Sequence, residues 1–126
     1  MSSITVKTTK SDFEYFKNVC LDWQKKLLLD SWKIYFVHGT VDDEESRASI
    51  VRSHEAHQVT IYFCKDWVRA NLEPKTKKSI RDCAVHEIMH LLLADLAELA
   101  KQRFVTDNEL WNAEEALVQK LVKILT

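Results

Sequence analysis

The most informative stretch of this chain is residues 74–101, PKTKKSIRDCAVHEIMHLLLADLAELAK. The proline at the start suits the first turn of a helix, where its missing N–H costs nothing. From Ile80 to Leu99 apolar residues recur every three or four positions, which predicts one long helix over about residues 75–101. The sequence His-Glu-Ile-Met-His at residues 86–90 lies in the middle of that helix.

The His-Glu-x-x-His pattern predicts a metal site. His86 and His90 are four residues apart, so on a helix both side chains leave the same face in successive turns. Two imidazole nitrogens placed in this way can bind one Zn²⁺ ion. Glu87 projects beside that face, where a general base takes a proton from a metal-activated water. We therefore expect His86 and His90 as zinc ligands and Glu87 as the catalytic base.

A structural interpretation of the same residues stays open. The two histidines can be partly buried imidazoles that bond to neighbouring groups, with Glu87 as their salt-bridge partner. In that case the motif is accidental and the chain is an apolar helical domain without a metal.

Two histidines leave a third protein ligand to be found. An extended motif with a further histidine is absent, because Leu93 and Leu96 occupy the positions of its glycine and histidine. At about 100° per residue, Glu114 falls near the centre of the apolar arc of the C-terminal helix and Glu115 nearer its edge. A buried carboxylate needs a cation, so Glu114 is the predicted third ligand and Glu115 the alternative. An exposed acidic turn near a helix start is the competing interpretation for this pair.

The remaining elements follow from local patterns. Ser11-Asp12-Phe13-Glu14 has the form of a capping box, and a second box at residues 106–109 precedes the C-terminal helix. Aromatic and β-branched runs with short connections predict three sequential strands in an antiparallel meander. The predicted elements are a helix over about residues 11–29, strands over about 32–38, 47–53 and 58–63, the motif helix, and a helix over about 107–125. The prediction is a single α+β domain over residues 1–126, with a small, mostly antiparallel sheet.

Composition restricts the functional classes. Eighteen Lys and Arg against nineteen Asp and Glu give a net charge of −1, so no global field favours nucleic acid or a membrane. The three cysteines have no metal-ribbon or redox spacing, which favours a reduced, intracellular protein. No targeting or membrane-spanning segment is evident, so we expect a cytoplasmic protein.

The second half of the chain, about residues 32–125, resembles a zincin of the gluzincin type reduced to its minimum. It is similar to short metallopeptidase-like proteins of phages, prophages and mobile elements, which would place it in the host cytoplasm. The paired glutamates match the downstream glutamate of that ligand plan, whereas Val118 stands where thermolysin-like enzymes carry an aspartate that orients a histidine ligand. The resemblance implies a twisted sheet whose edge strand, here Gln58–Phe63, holds an extended peptide above the motif helix.

The expected function is that of a zinc-dependent metallopeptidase, which hydrolyses peptide bonds in a peptide or protein substrate. Tyr62 and His57, together with His54, are weaker candidates for polarising the substrate carbonyl or stabilising the oxyanion. The alternative is a metal-stabilised binding protein that cuts nothing and captures a regulatory partner by its sheet edge.

Overall fold

The computed structural model describes residues 5–39, 47–53, 55–68, 74–102 and 105–125. In chain order the elements are β1 (Thr5–Lys7), α1 (Lys10–Lys26), β2 (Lys33–Gly39), β3 (Ala48–Ser53), β4 (Gln58–Cys64), β5 (Asp66–Val68), α2 (Lys77–Leu92), α3 (Ala94–Lys101) and α4 (Asp107–Leu125). The predicted mixture of helices with small sheets, the α+β class, is confirmed.

Helix α1 begins earlier than predicted because the capping residue is Thr9. Its hydroxyl accepts a hydrogen bond from the Asp12 N–H at 3.0 Å, and the Asp12 carboxylate accepts from the Thr9 N–H at 2.9 Å. The predicted capping box at residues 11–14 is therefore wrong by two positions. The helix ends at Lys26 rather than near residue 29, because Leu28 adopts a left-handed backbone with φ of 59°.

The main sheet has the strand order β2-β4-β3, which differs from the predicted meander. Strand β2 pairs in parallel with β4, and β3 pairs antiparallel with the opposite side of β4. The sequential antiparallel arrangement is therefore wrong, as is the placing of Gln58–Phe63 at the edge. Burial gives the reason, since Val59, Ile61 and Phe63 are almost inaccessible and suit a central strand, whereas β3 carries the exposed Val51.

A second, two-stranded sheet was not predicted from the sequence. Strands β1 and β5 pair antiparallel over three residues each, with Val6 opposite Trp67. Strands this short leave too little alternation to be recognised in a sequence. Thr8, directly after β1, ties this small sheet to the larger one, because its hydroxyl donates to the Cys64 carbonyl at 2.8 Å.

The hydrophobic core joins α1 and α2 to the main sheet. Phe16 of α1 stacks on Phe63 of β4 with ring centroids 4.6 Å apart. Cys20 of α1 is fully buried, and its Sγ lies 3.8 Å from the Ala84 carbonyl oxygen of α2. One face of α2 therefore packs against α1, and α2 also contacts β3.

The long motif helix predicted over residues 75–101 is interrupted. Helix α2 ends at Leu92, and α3 starts at Ala94 after a turn at Leu93. Leu91, Leu92 and Ala94 are buried, whereas Leu93 is 47% exposed, so the turn keeps the apolar residues on the inside. It also directs α3 against α4.

Helix α4 lies on the outside of the molecule. Leu117 and Ile124 pack against the core, but no residue of α4 is fully buried. Among the described helices, none is long and apolar enough to cross a membrane.

Candidate metal centre

The start of α2 sets where the His-Glu-x-x-His motif lies. Thr76 caps the helix, since its hydroxyl accepts from the Ser79 N–H while the Ser79 hydroxyl accepts from the Thr76 N–H. From this start Ile80, Ala84 and Ile88 all point into the core. His86 and His90 lie on a different face of the helix from these three residues, and both are exposed.

The two histidines converge as the spacing predicts. The Nε2 atoms of His86 and His90 are 3.2 Å apart, and the rings meet nearly edge to face at 81°. Zinc–nitrogen bonds of about 2.0–2.1 Å at a tetrahedral angle place two ligand nitrogens about 3.3 Å apart. The observed separation therefore suits a shared zinc ion, and it also suits a direct N–H···N hydrogen bond.

His90 is held in the form that a metal requires. Desolvation, followed by the nearby His86 and the Arg52 guanidinium, lowers the pKa of His90 below its ordinary value. A lower pKa keeps the imidazole neutral near pH 7, so that its lone pair is available for coordination.

Glu87 is buried, in contrast to the histidines on either side of it. Its side chain is only 6% exposed, and within the described residues its carboxylate makes no hydrogen bond. Burial raises the pKa of Glu87, against the opposing influence of His86. A raised pKa makes the carboxylate a stronger base at neutral pH. The burial of Cys20, together with the smaller influence of the Glu87 charge, raises the pKa of the Cys20 thiol, so this cysteine stays protonated.

The motif opens into a cavity between α2 and β3. Its volume is about 330 Å³. The described residues that line it are Ala48, Ser49, Ile50, Arg52, His86, Glu87 and His90. The cavity therefore holds the histidine pair and the buried carboxylate together beside an edge strand.

The backbone of β3 has one open side next to this cavity. The Arg47 carbonyl accepts from the Cys64 N–H at 2.9 Å, so these two opposite residues form a hydrogen-bonded pair. Because such pairs alternate along an antiparallel ladder, the N–H and C=O groups of Ser49 and Val51 point to β4. Those of Ala48, Ile50 and Arg52 point away from β4, and no described strand pairs with them.

The structure does not bring the predicted third ligand to the histidines. Glu114 is exposed, so the burial on which its choice rested is absent, and Glu115 is only half-buried. Across the described ranges, no group of three His, Cys, Asp or Glu side chains is arranged to hold a metal. The inner face of α4 instead runs through Ala113, Leu117 and Ile124.

The weaker candidates lie apart from the cavity. Tyr62 is in the central strand, opposite Val37 and Ser49. His57 stacks on Trp32 with centroids 4.5 Å apart, in a turn where its φ is 51°. His54 lies outside the described residues. Neither Tyr62 nor His57 is among the described residues that line the cavity.

Arg52 belongs to the site but was not predicted from the sequence. Its guanidinium Nη1 donates to the His90 carbonyl at 3.2 Å, across the cavity from strand to helix. Alternation in β3 could have indicated it, since Ala48, Ile50 and Arg52 share one face of a strand. The alternation of residues in β3 does not show which face of the strand meets α2, because that depends on long-range packing.

Comparisons of the chain with protein-family models, with curated proteins and with solved structures find no match.

Proposed function

We propose that this protein is a zinc-dependent peptidase whose metal is bound by His86 and His90 and whose general base is Glu87. The observation that carries the proposal is the 3.2 Å separation of the two Nε2 atoms at the wall of a cavity that a buried glutamate also lines. When bound, zinc supplies Lewis-acid chemistry, since it lowers the pKa of water and polarises a carbonyl.

The residues of the chain have separate tasks in this reaction. The open side of β3 offers the N–H and C=O groups of Ala48, Ile50 and Arg52 to an extended peptide, which would lie as an added strand beside the motif helix. Glu87 takes one proton from water as the water oxygen adds to the scissile carbonyl carbon. It then gives that proton to the leaving nitrogen as the C–N bond breaks, so the products are a carboxylic acid and an amine.

The test is the Glu87→Gln variant assayed with a mixed peptide set and added zinc. Proton transfer by a positioned side chain contributes about 10²–10⁴-fold, so we expect cleavage, followed by mass spectrometry, to fall by at least about a hundredfold. Bound zinc and the thermal midpoint should stay close to wild type, because the carboxylate has no hydrogen-bond partner in the described chain.

Asp82→Asn is the matched control, since Asp82 is an exposed carboxylate on the same helix and should not affect cleavage. Equal cleavage rates for Glu87→Gln and wild type would exclude Glu87 as the base.

A second candidate function is favoured by the open side of β3 alone. A protein that captures a partner by strand addition needs that edge and a stable fold, but no base. Under this alternative, a zinc-loaded wild-type protein would cut no peptide of the set and would bind the same peptides as Glu87→Gln.

A further inference from the structure

Arg52 is a cation without a carboxylate partner in the described part of the chain. Its one described hydrogen bond runs from Nη1 to the His90 carbonyl oxygen, and it forms no ion pair there. A guanidinium has five N–H donors in a rigid plane, so most of them are left for other acceptors. The side chain is half-buried, which limits how far water screens its charge.

One role of Arg52 is structural. His90 lies in the last turn of α2, where carbonyl groups lack helical partners and the helix dipole favours a positive charge. A single donor satisfies that role, and the other N–H donors of the guanidinium stay available in a side chain that lines the cavity.

The other described residues that line the cavity make no side-chain hydrogen bond or ion pair with the Arg52 guanidinium. Ala48, Ser49 and Ile50 carry no charge, and the Glu87 carboxylate, which also lines the cavity, makes no ion pair with Arg52. A ligand group that fills the space between Arg52 and the histidine pair must therefore bring its own acceptors. A planar carboxylate matches a guanidinium with two parallel hydrogen bonds.

We propose that Arg52 recognises a carboxylate of the peptide substrate next to the scissile bond. This inference rests on the proposed function, because it names the substrate class of the same cavity. The carboxylate is either the α-carboxylate of the peptide's C-terminal residue or the side chain of an Asp or Glu residue, and both present the same chemistry to the guanidinium.

The experiment compares matched peptide pairs. One pair differs only in a free or amidated C-terminus, and the other, amidated in both members, differs only in an internal Glu or Gln. For wild type we expect kcat/KM to favour the carboxylate member of one pair by about ten- to a hundredfold, the range for a hydrogen bond to a charged group. The pair that shows the preference identifies the source of the carboxylate.

The variants assign that preference to Arg52. Arg52→Gln should lose it, and Arg52→Lys should keep only part, because lysine has the charge without the planar fork. Arg81→Gln is the control, since Arg81 is an exposed arginine on α2 and its removal lowers the net charge equally. Thermal midpoints of all variants establish that each one is folded.

Measurements of peptide binding test carboxylate recognition by Arg52 independently of peptide hydrolysis. The dissociation constants of the same pairs are measured on zinc-loaded Glu87→Gln, with and without Arg52→Gln. A carboxylate preference in binding that disappears with Arg52→Gln supports the inference even if wild type cuts nothing. Equal binding of both members of each pair, or a preference that survives Arg52→Gln, overturns it even if wild type is an active peptidase.

Discussion

At the residue scale, the part of the site that could be predicted is the part that depends on local geometry. A spacing of four residues on a helix is enough to bring the imidazoles of His86 and His90 together, whatever the rest of the chain does. Glu114 is different, because its position relative to them depends on how α4 packs. The angular positions of apolar residues around α4 locate an apolar face, but they do not determine which part of that face meets the core. In the structure Leu117 packs against the core, whereas Glu114 is exposed.

His38 is a second residue whose environment could not be predicted from the sequence. Its ring stacks on Phe13 at 5.0 Å, and its Nε2 lies 2.7 Å from the Thr8 hydroxyl oxygen. Burial, together with the positive charge of Lys65, lowers the pKa of His38 below 6.5, against the influence of Asp12. The folded protein therefore binds this proton less readily than the unfolded chain does.

A pH dependence of stability follows from His38. The free energy of unfolding should fall as the pH drops below about 6.5, and this contribution should level off once the pH is below the folded pKa. We expect the thermal midpoint of wild type to drop more than that of His38→Gln between pH 7 and pH 5, measured by circular dichroism. The other histidines are present in both proteins, so their contributions cancel, and parallel pH profiles would exclude a contribution from His38.

At the element scale, the strands were predictable but their order was not. The β-branched and aromatic runs in β2, β3 and β4 locate each strand from neighbouring residues alone. The pairing of β2 with β4 skips the strand between them in sequence, and nothing in a local pattern encodes that crossover. The break at Leu93 between α2 and α3 was also not predictable from local sequence, because the apolar periodicity continues through it without a proline or glycine.

Two matched substitutions test the order of the main sheet. Ile61→Ala in the central strand should lower the free energy of unfolding by about 2–5 kcal/mol, because it leaves a cavity in a fully buried position. Val51→Ala in the edge strand, where the side chain is 59% exposed, should change it by no more than about 0.5 kcal/mol. Denaturant titrations of both variants measure the difference, and similar losses would contradict a central β4.

At the scale of the whole molecule, packing in the hydrophobic core fixes the positions of α2 and β3, and residues outside the core line the cavity between them. The packing of α1 on α2 fixes the rotation of the motif helix, and the antiparallel β4–β3 pairing brings β3 over the same helix. The cavity that results joins residues about forty positions apart in the chain, such as Arg52 and His90. Only the helical half of that arrangement could be predicted from the sequence.

The zinc content of the purified protein tests whether His86 and His90 bind a metal. Protein purified without chelator, or reloaded and desalted, should contain about one zinc per chain by elemental analysis. His86→Ala and His90→Ala should each lose the metal, whereas Glu114→Gln and Glu115→Gln should keep it, because neither glutamate joins the histidines. A folded wild-type protein that contains no zinc and takes up none, or a full zinc content in the two histidine variants, would show that this pair does not bind zinc.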